Sequence, residues 1–516
     1  MYEPLQGLRQ ILVSFSLCIS TFMYVLDYSI ANVAIPHIAG DLAVSDEQGT
    51  YVITAFAVGN AIALPMTGWL SKRFGAVKVH VLATLLFTFF SWICGISLAY
   101  EMLIIGRFLQ GVATGPIIPL TQTLLLQSYP QGKKALAMAV FGNVAILGPV
   151  IGPILGGWIT FDYHWPWIFY INIPLGIASG AITWAILKTR ETLIEKIPLD
   201  KIGFVLLVIG ITCLQIFLDK GHQHGWFESN LIRTLATTSF ICLSLMVIWQ
   251  FFIEHPILDF RLLKIHSFMI SNIILVIIYA TYFGLLILIP LWLQTYMNYN
   301  AIWAGLAVAP IGIFSLCFTS QIPKLIQRFG ALILLGACFA SFAIACFFTA
   351  FFNTDVSFGH VAFSRFLYGI GLFFFMSPTL TMSVQDIPQE HLPSSTGLFH
   401  FFRTLSAGIG TSIIISLWLR RGIFHHFNLA SWVTSFNDNT KPMLQATQQL
   451  GFTSMQSLAN LNDIVDQQAY TLAQNDISYL IGWICLSLIV LLPLARKKRF
   501  STPKIFKKQN LITKNN

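Results

Sequence analysis

The stretch Phe22–Pro36, FMYVLDYSIANVAIP, decides how this chain is read. It is an apolar segment of helical, membrane-spanning character with one carboxylate, Asp27, near its middle. A charged Asp at the bilayer centre costs roughly 2.5–3.5 kcal/mol even on the gentler insertion scales, so such a residue faces a bundle interior or a wet cavity. Every other acidic residue falls in a loop or near the end of an apolar run. Asp27 has two readings: a protonation site that faces the two sides of the membrane in turn, or a carboxylate held for good by an arginine. An acid inside a span is a functional site by default, which favours the first.

The rest of the chain fits that setting. Of 516 residues, 56% are hydrophobic and 10% charged, and the mean hydropathy is +0.72. Soluble domains carry about 25% charged residues; this is the composition of an integral membrane protein. The formal net charge of +9 could suit nucleic acid, but eight of the thirty basic residues lie in the tail Arg496–Lys514 and most others in short loops between apolar runs. That pattern sets topology and meets lipid headgroups; it does not make a nucleic-acid face. The eight cysteines all lie inside apolar runs with no CxxC pair, which suits small core side chains and neither disulfides nor a metal site. The first apolar run continues to Pro36 without an A-x-A site and reads as a retained span.

A helix crosses the hydrocarbon core with about twenty apolar residues. Fourteen such runs are found, near 11–36, 50–70, 79–98, 102–127, 136–160, 166–187, 202–218, 231–253, 268–293, 302–322, 331–352, 358–384, 395–418 and 477–495. An N-terminus on the inside places most Lys and Arg on the cytoplasmic side, and the reverse orientation would place most outside. Both termini are therefore expected in the cytoplasm. The chain also repeats itself. Arg73-Phe74-Gly75 recurs as Arg328-Phe329-Gly330, 255 residues on; Arg107-Phe108-Leu109-Gln110-Gly111 recurs as Arg365-Phe366-Leu367-Tyr368-Gly369, 258 on; Trp158 and Trp418 are 260 apart. One offset in one order implies two six-helix halves of the same orientation, the plan of the major facilitator fold, with the substrate site between them. The expectation is an all-α polytopic protein of fourteen spans arranged 6+2+6. Its parts are a first half at 1–187, a linker and inserted pair at 188–265, a second half at 266–495 and a basic tail at 496–516. Segment 420–476 is expected as a long external loop, with helical spacing of apolar residues over Met443–Leu472 that suits a cap on its own bundle or a partner surface.

Arg107 is the natural partner of Asp27. With Gln110 and Thr114 it makes a polar stripe at i, i+3 and i+7, and a buried guanidinium needs an acceptor. Asn32 is expected near the same site. Burial raises the proton affinity of a carboxylate and a neighbouring arginine lowers it. A helix movement that changes their separation would thus couple proton binding to conformation; a purely structural pair is the alternative. The second-half counterpart of Arg107 is Arg365, but Asp27 is matched near Thr281, so proton chemistry is expected in the first half. Gly148, Gly152 and Gly156 form a flat stripe that lets another helix approach closely, and Pro149 and Pro153 remove backbone donors from the same helix. Tight packing and a gating role are both compatible with this stripe. Asp219 and Glu254 end the inserted pair and read as interfacial, with a substrate or proton role as the alternative. His400 and Arg403 enter the thirteenth run and suit a buried polar network.

Leu26–Pro36 resembles the first-span signature of the fourteen-span drug:proton antiporters, the EmrB/QacA group. Gly148–Gly157, ending in Gly156-Gly157, is similar to that group's fifth-span antiporter motif, and Arg107–Gly111 to its fourth-span motif. His164–Pro174 matches its entry to the sixth span, and the likeness covers almost the whole chain. The resemblance implies export of hydrophobic drugs and uncouplers across a bacterial inner membrane, driven by protons as the coupling ion and without another cofactor. It also implies a periplasmic EmrA-type adaptor and a TolC-like outer-membrane channel as partners. The loop Gly68-Trp69-Leu70-Ser71-Lys72-Arg73-Phe74-Gly75 keeps Gly68, Arg73 and Gly75 of the superfamily motif but has Lys72 where that motif has Asp. The usual charge contact of that Asp is therefore in question here. No GxxxxGK[ST] loop for ATP, HExxH or GxSxG is present, which argues against an ATP-driven pump or an intramembrane enzyme. A dedicated exporter of one metabolite or siderophore would use the same scaffold. A receptor or scaffold would not need a central acid with an arginine.

Overall fold

The computed structural model describes residues 5–493 apart from 131–133, 193, 196–197, 222–224, 254–255, 319–320, 388–391 and 435–439. The described residues form helices and connecting turns, with no strand among them. Among them, twelve helices are long and apolar enough to cross a membrane, from Gly7–Asp41 to Ser454–Leu491, so the protein is a multi-pass integral membrane protein. Two further helical stretches lie where apolar runs are expected. One is the unbroken helix Lys134–Asp162, which continues through Pro149 and Pro153. The other, 301–318, is interrupted by a 3-10 turn at Ala309–Gly312, where Pro310 cannot donate to the helical ladder.

The helices gather into two bundles. In the first, Gly7–Asp41 packs on Lys134–Asp162 and Asn172–Leu187, while Tyr100–Thr114 packs on Asp46–Ala63 and Ala76–Gly95. Lipid tails give little hydrophobic drive for helix association, so close packing and interhelical hydrogen bonds carry it. Ser16 meets Thr183 at 2.9 Å and Ser20 meets Ser179 at 2.6 Å along the contact of the first helix with Asn172–Leu187. In the second bundle, His266–Tyr296 packs on Leu392–Ala430, which packs in turn on Ser454–Leu491. Its core holds Trp292, Phe339, Phe342 and Tyr368, the last two stacked at 4.1 Å.

The sequence repeat has a structural counterpart. Gly75 and Gly330 both take positive φ, +95° and +79°, between two helices, a conformation that strains residues with a Cβ. Gly111 lies against the backbone of Phe56, and Gly369 against the backbone of Ile311. In each bundle the Arg-containing helix thus reaches its neighbour at a glycine four residues beyond the arginine.

The bundles meet along two seams. Lys134–Asp162 touches Ala301–Val308 and the turn after it, and Leu392–Ala430 touches the second helix and its continuation to Phe74. His400 Nε2 lies 2.9 Å from Gln122 Oε1 across the second seam. The helices Lys201–Lys220 and Asn230–Phe252 pack on each other, and the first of them rests against Asp46–Ala63 and Leu392–Ala430. Asp200 fastens them: its carboxylate caps Gly203 and accepts from Trp249 Nε1 at 2.9 Å and Gln250 Nε2 at 2.7 Å.

Two connecting regions depart from the simple reading. Segment 420–476 is mostly helical and not a loop. One helix continues to Ala430, a short one spans Thr440–Gln449, and the last begins at Ser454 behind a Thr453/Gln456 capping box. Gly451, at φ +92°, breaks the helical stretch expected over Met443–Leu472. Leu461, Val465 and Ala469 are buried, whereas Leu450, Met455 and Leu458 are exposed. Arg421 and His425 both meet Asp476, tying the two extended helices together. In the linker, Glu191 accepts from the backbone of Val77 at 2.8 Å and Lys78 at 3.0 Å. It thereby holds the helix start that follows Gly75, beside an exposed Lys72.

Candidate functional site

Asp27 and Arg107 are both fully buried. Arg107 Nη1 lies 2.5 Å from Asp27 Oδ2. The other carboxylate oxygen accepts from Asn172 Nδ2 at 2.9 Å and Gln110 Nε2 at 3.2 Å. Both amides also donate to Ser91 Oγ, at 3.1 and 2.6 Å. Arg107 donates further to the Val52 carbonyl at 3.1 Å and to Gln110 Oε1 at 2.7 Å. Its guanidinium lies over the Phe56 ring at 4.3 Å and the Phe169 ring at 5.5 Å. The carboxylate of the first helix therefore draws donors from Tyr100–Thr114 and Asn172–Leu187, and Ser91 of Ala76–Gly95 bridges the two amides. Removing one partner of such a buried pair costs about 3–5 kcal/mol, because the other charge is stranded.

A cavity lies between the two bundles, lined from the first by Tyr24, Tyr28, Asn32, Asn60 and Gln122 and from the second by Tyr279, Phe283, Met376 and Arg403. Asp27 and Arg107 are not among its lining residues. Phe56 stands between: its buried ring contacts Tyr24 and Tyr28 at 6.1 and 5.9 Å, and the guanidinium of Arg107 lies against it. Tyr28 also reaches across to Phe283, at 5.9 Å.

The structure brings Asp27, Arg107 and Gln110 together but parts two residues expected beside them. Asn32 lines the cavity and not the ion pair. Five residues turn a helix about 500°, so Asn32 points well away from Asp27. Thr114 keeps the face of Arg107, yet seven residues carry it about 10 Å along the axis, where it accepts from Asn60 Nδ2 at 2.8 Å. Asn172, Ser91 and Phe56 belong to the cluster and were not singled out from the sequence. Asn172 carried a usable signal, a lone amide in an apolar run; Ser91 and Phe56 carried none.

The glycine stripe packs within the first bundle. Gly148 faces Val25, and Gly152 and Gly156 face Ser29 and Ile30. Ser29 Oγ donates to the Gly148 carbonyl at 3.0 Å. Pro149 and Pro153 lie in the same helix and Gly157 is buried there. Gly68 is exposed, Arg73 half-buried and Gly75 buried at the turn already described. Arg365, the counterpart of Arg107, is buried with hydroxyl partners, Thr349 at 2.8 Å and Ser364 at 3.1 Å. Thr281 bonds to carbonyls of its own helix. Asp219 lies in the helix Lys201–Lys220, with its side chain outside the described set; Glu254 and the tail from 494 are outside the described residues. His400 bonds Gln122, and Arg403 turns into the cavity.

Two helical bundles around a central cavity, with a buried polar cluster in one of them, are the architecture of a membrane transporter. The chain belongs to the major facilitator superfamily, whose profile matches residues 17–411, and it is EmrB-like. It is 39% identical to the multidrug export protein EmrB of Haemophilus influenzae over 96% of this chain and 97% of that one. The same identity and coverage relate it to the multidrug export protein EmrB of Escherichia coli K12 and to the fatty acid resistance protein FarB of Neisseria gonorrhoeae. Among solved structures, a POT family transporter in complex with 5-aminolevulinic acid is similar in fold, with a TM-score of 0.64 at 13% identity, covering 96% of this chain and 99% of that one.

Proposed function

We propose that the protein exports hydrophobic small molecules by alternating access, taking one bundle's proton chemistry as the drive. The observation that carries this reading is a carboxylate–guanidinium pair buried in one bundle, behind the aromatic wall of a cavity that both bundles share. Protonation of Asp27 would release Arg107 from its partner. The guanidinium would then press differently on Phe56, and through it on Tyr24 and Tyr28 at the cavity. Substrate seated on those tyrosines would act back along the same contacts. One elementary charge moved across 100 mV supplies about 2.3 kcal/mol, enough for roughly a fiftyfold gradient at one proton per cycle. The proton is the coupling ion and no other cofactor is invoked.

The same proposal gives the chain fourteen spans as 6+2+6, with both termini cytoplasmic and the protein in a bacterial inner membrane. The helical segment 420–476 would then face the periplasm, where an EmrA-type adaptor and a TolC-like channel would complete a three-part pump. The relatives' names support drugs as the substrate class; the FarB relative supports a narrower alternative, export of one kind of amphipathic compound. Purified protein in liposomes tests the proposal. An imposed pH gradient should drive uptake of a hydrophobic dye, and addition of dye should release protons. Turnover of lipid or peptide without solute movement would overturn it.

A further inference from the structure

Arg403 lines the central cavity from the helix Leu392–Ala430 and is 8% exposed. Among the described residues its guanidinium makes no hydrogen bond and no ion pair, and it lies over the Tyr279 ring at 5.7 Å. The other buried arginines are provided for: Arg107 by Asp27 and Arg365 by two hydroxyls. No carboxylate lies among the described residues that line the cavity, whose other side chains are apolar, aromatic, amide- or hydroxyl-bearing. A guanidinium that opens into a largely apolar cavity without an acceptor is free to meet a ligand there, and a planar fork of donors suits a carboxylate or similar oxyanion in two-point contact.

We infer that Arg403 anchors the acidic group of an amphipathic anion whose apolar body lies along Tyr24, Tyr28, Tyr279 and Phe283. This deepens the exporter reading and rests on it: it names the substrate class of the same cavity. The position also explains how such a ligand would engage both bundles. Arg403 lies one helical turn from His400, which bonds Gln122 of the first bundle, while Tyr24 and Tyr28 belong to the first helix. Neutral compounds would use only the aromatic walls, and cations would meet a like charge there.

The test is equilibrium binding of three fluorescent probes of one shape: 1-pyrenebutyrate, 1-pyrenebutanol and 1-pyrenebutylammonium. Purified full-length protein is used in detergent, with partition into empty micelles subtracted. The wild type should bind the butyrate at least about tenfold more tightly than the butanol, as a charge-assisted hydrogen bond requires, with the ammonium weakest. Arg403→Gln should bring the butyrate to the level of the butanol and leave the butanol within about twofold. Arg403→Lys should keep part of the preference. A wild type indifferent to probe charge overturns the inference without reference to any variant. So does an Arg403→Gln protein that still prefers the butyrate, or one that loses all three probes alike. Binding needs no pumping, so the two readings fail separately. A protein that selects the butyrate through Arg403 yet moves no solute in liposomes overturns the exporter reading; one that exports all three probes equally overturns only the anchor.

Discussion

Asp27 meets three side-chain donors while fully out of contact with water, and the cost of disturbing it depends on which charge is left behind. Arg107→Met alone strands the carboxylate and should lower stability by about 3–5 kcal/mol. The double variant Asp27→Asn/Arg107→Met removes both charges and should recover most of that loss. Thermal unfolding in detergent compares the two; equal destabilisation would mean that the ion pair is not what holds these helices. The pair was legible in the sequence because a charge in an apolar run has so few places to go. Its surroundings were not. Asn172 reaches Asp27, and Ser91 the two amides that bond it, from helices whose rotation only packing decides, and Asn32, near in sequence, is turned into the cavity by helical geometry. Arg403 was legible as a buried cation, but its lack of a partner needs the fold.

At the scale of elements, the glycine stripe of Lys134–Asp162 makes the sharpest demand. A Cβ at Gly152 would collide with the side chain of Ser29, and one at Gly156 would come within 2.8 Å of the Ile30 carbonyl. Because overpacking costs about 1–3 kcal/mol, Gly152→Ala should lower the melting temperature and weaken transport. Gly142→Ala, in the same helix with nothing within 4 Å of its added carbon, should leave the melting temperature unchanged. The spacing of those glycines announced close approach but not the partner, which is the Asp27 helix. Segment 420–476 was harder to read. Its polar residues end the hydropathy signal near 418, yet the helices run on and meet through contacts such as Arg421 with Asp476.

At the scale of the molecule, the repeat in the sequence foretold two bundles, and paired glycines mark it in the structure: Gly75 and Gly330 take positive φ, and Gly111 and Gly369 lie where a Cβ would meet a neighbour's backbone. Alternating access requires the seams between the bundles to open. Cysteines at Gln122 and His400, whose side chains touch across one seam, should arrest transport when joined by a short, reducible bifunctional thiol reagent. Reduction should restore it, and continued transport in the joined protein would exclude rocking at this seam. The central claim is that Asp27 couples protons to substrate movement. Its most direct test is dye accumulation in inverted vesicles under an imposed pH gradient, comparing wild type with Asp27→Asn. The wild type should concentrate the dye, while the variant should bind it and let it equilibrate without accumulation. If Asp27→Asn concentrates the dye as the wild type does, the carboxylate is structural and the coupling mechanism is wrong.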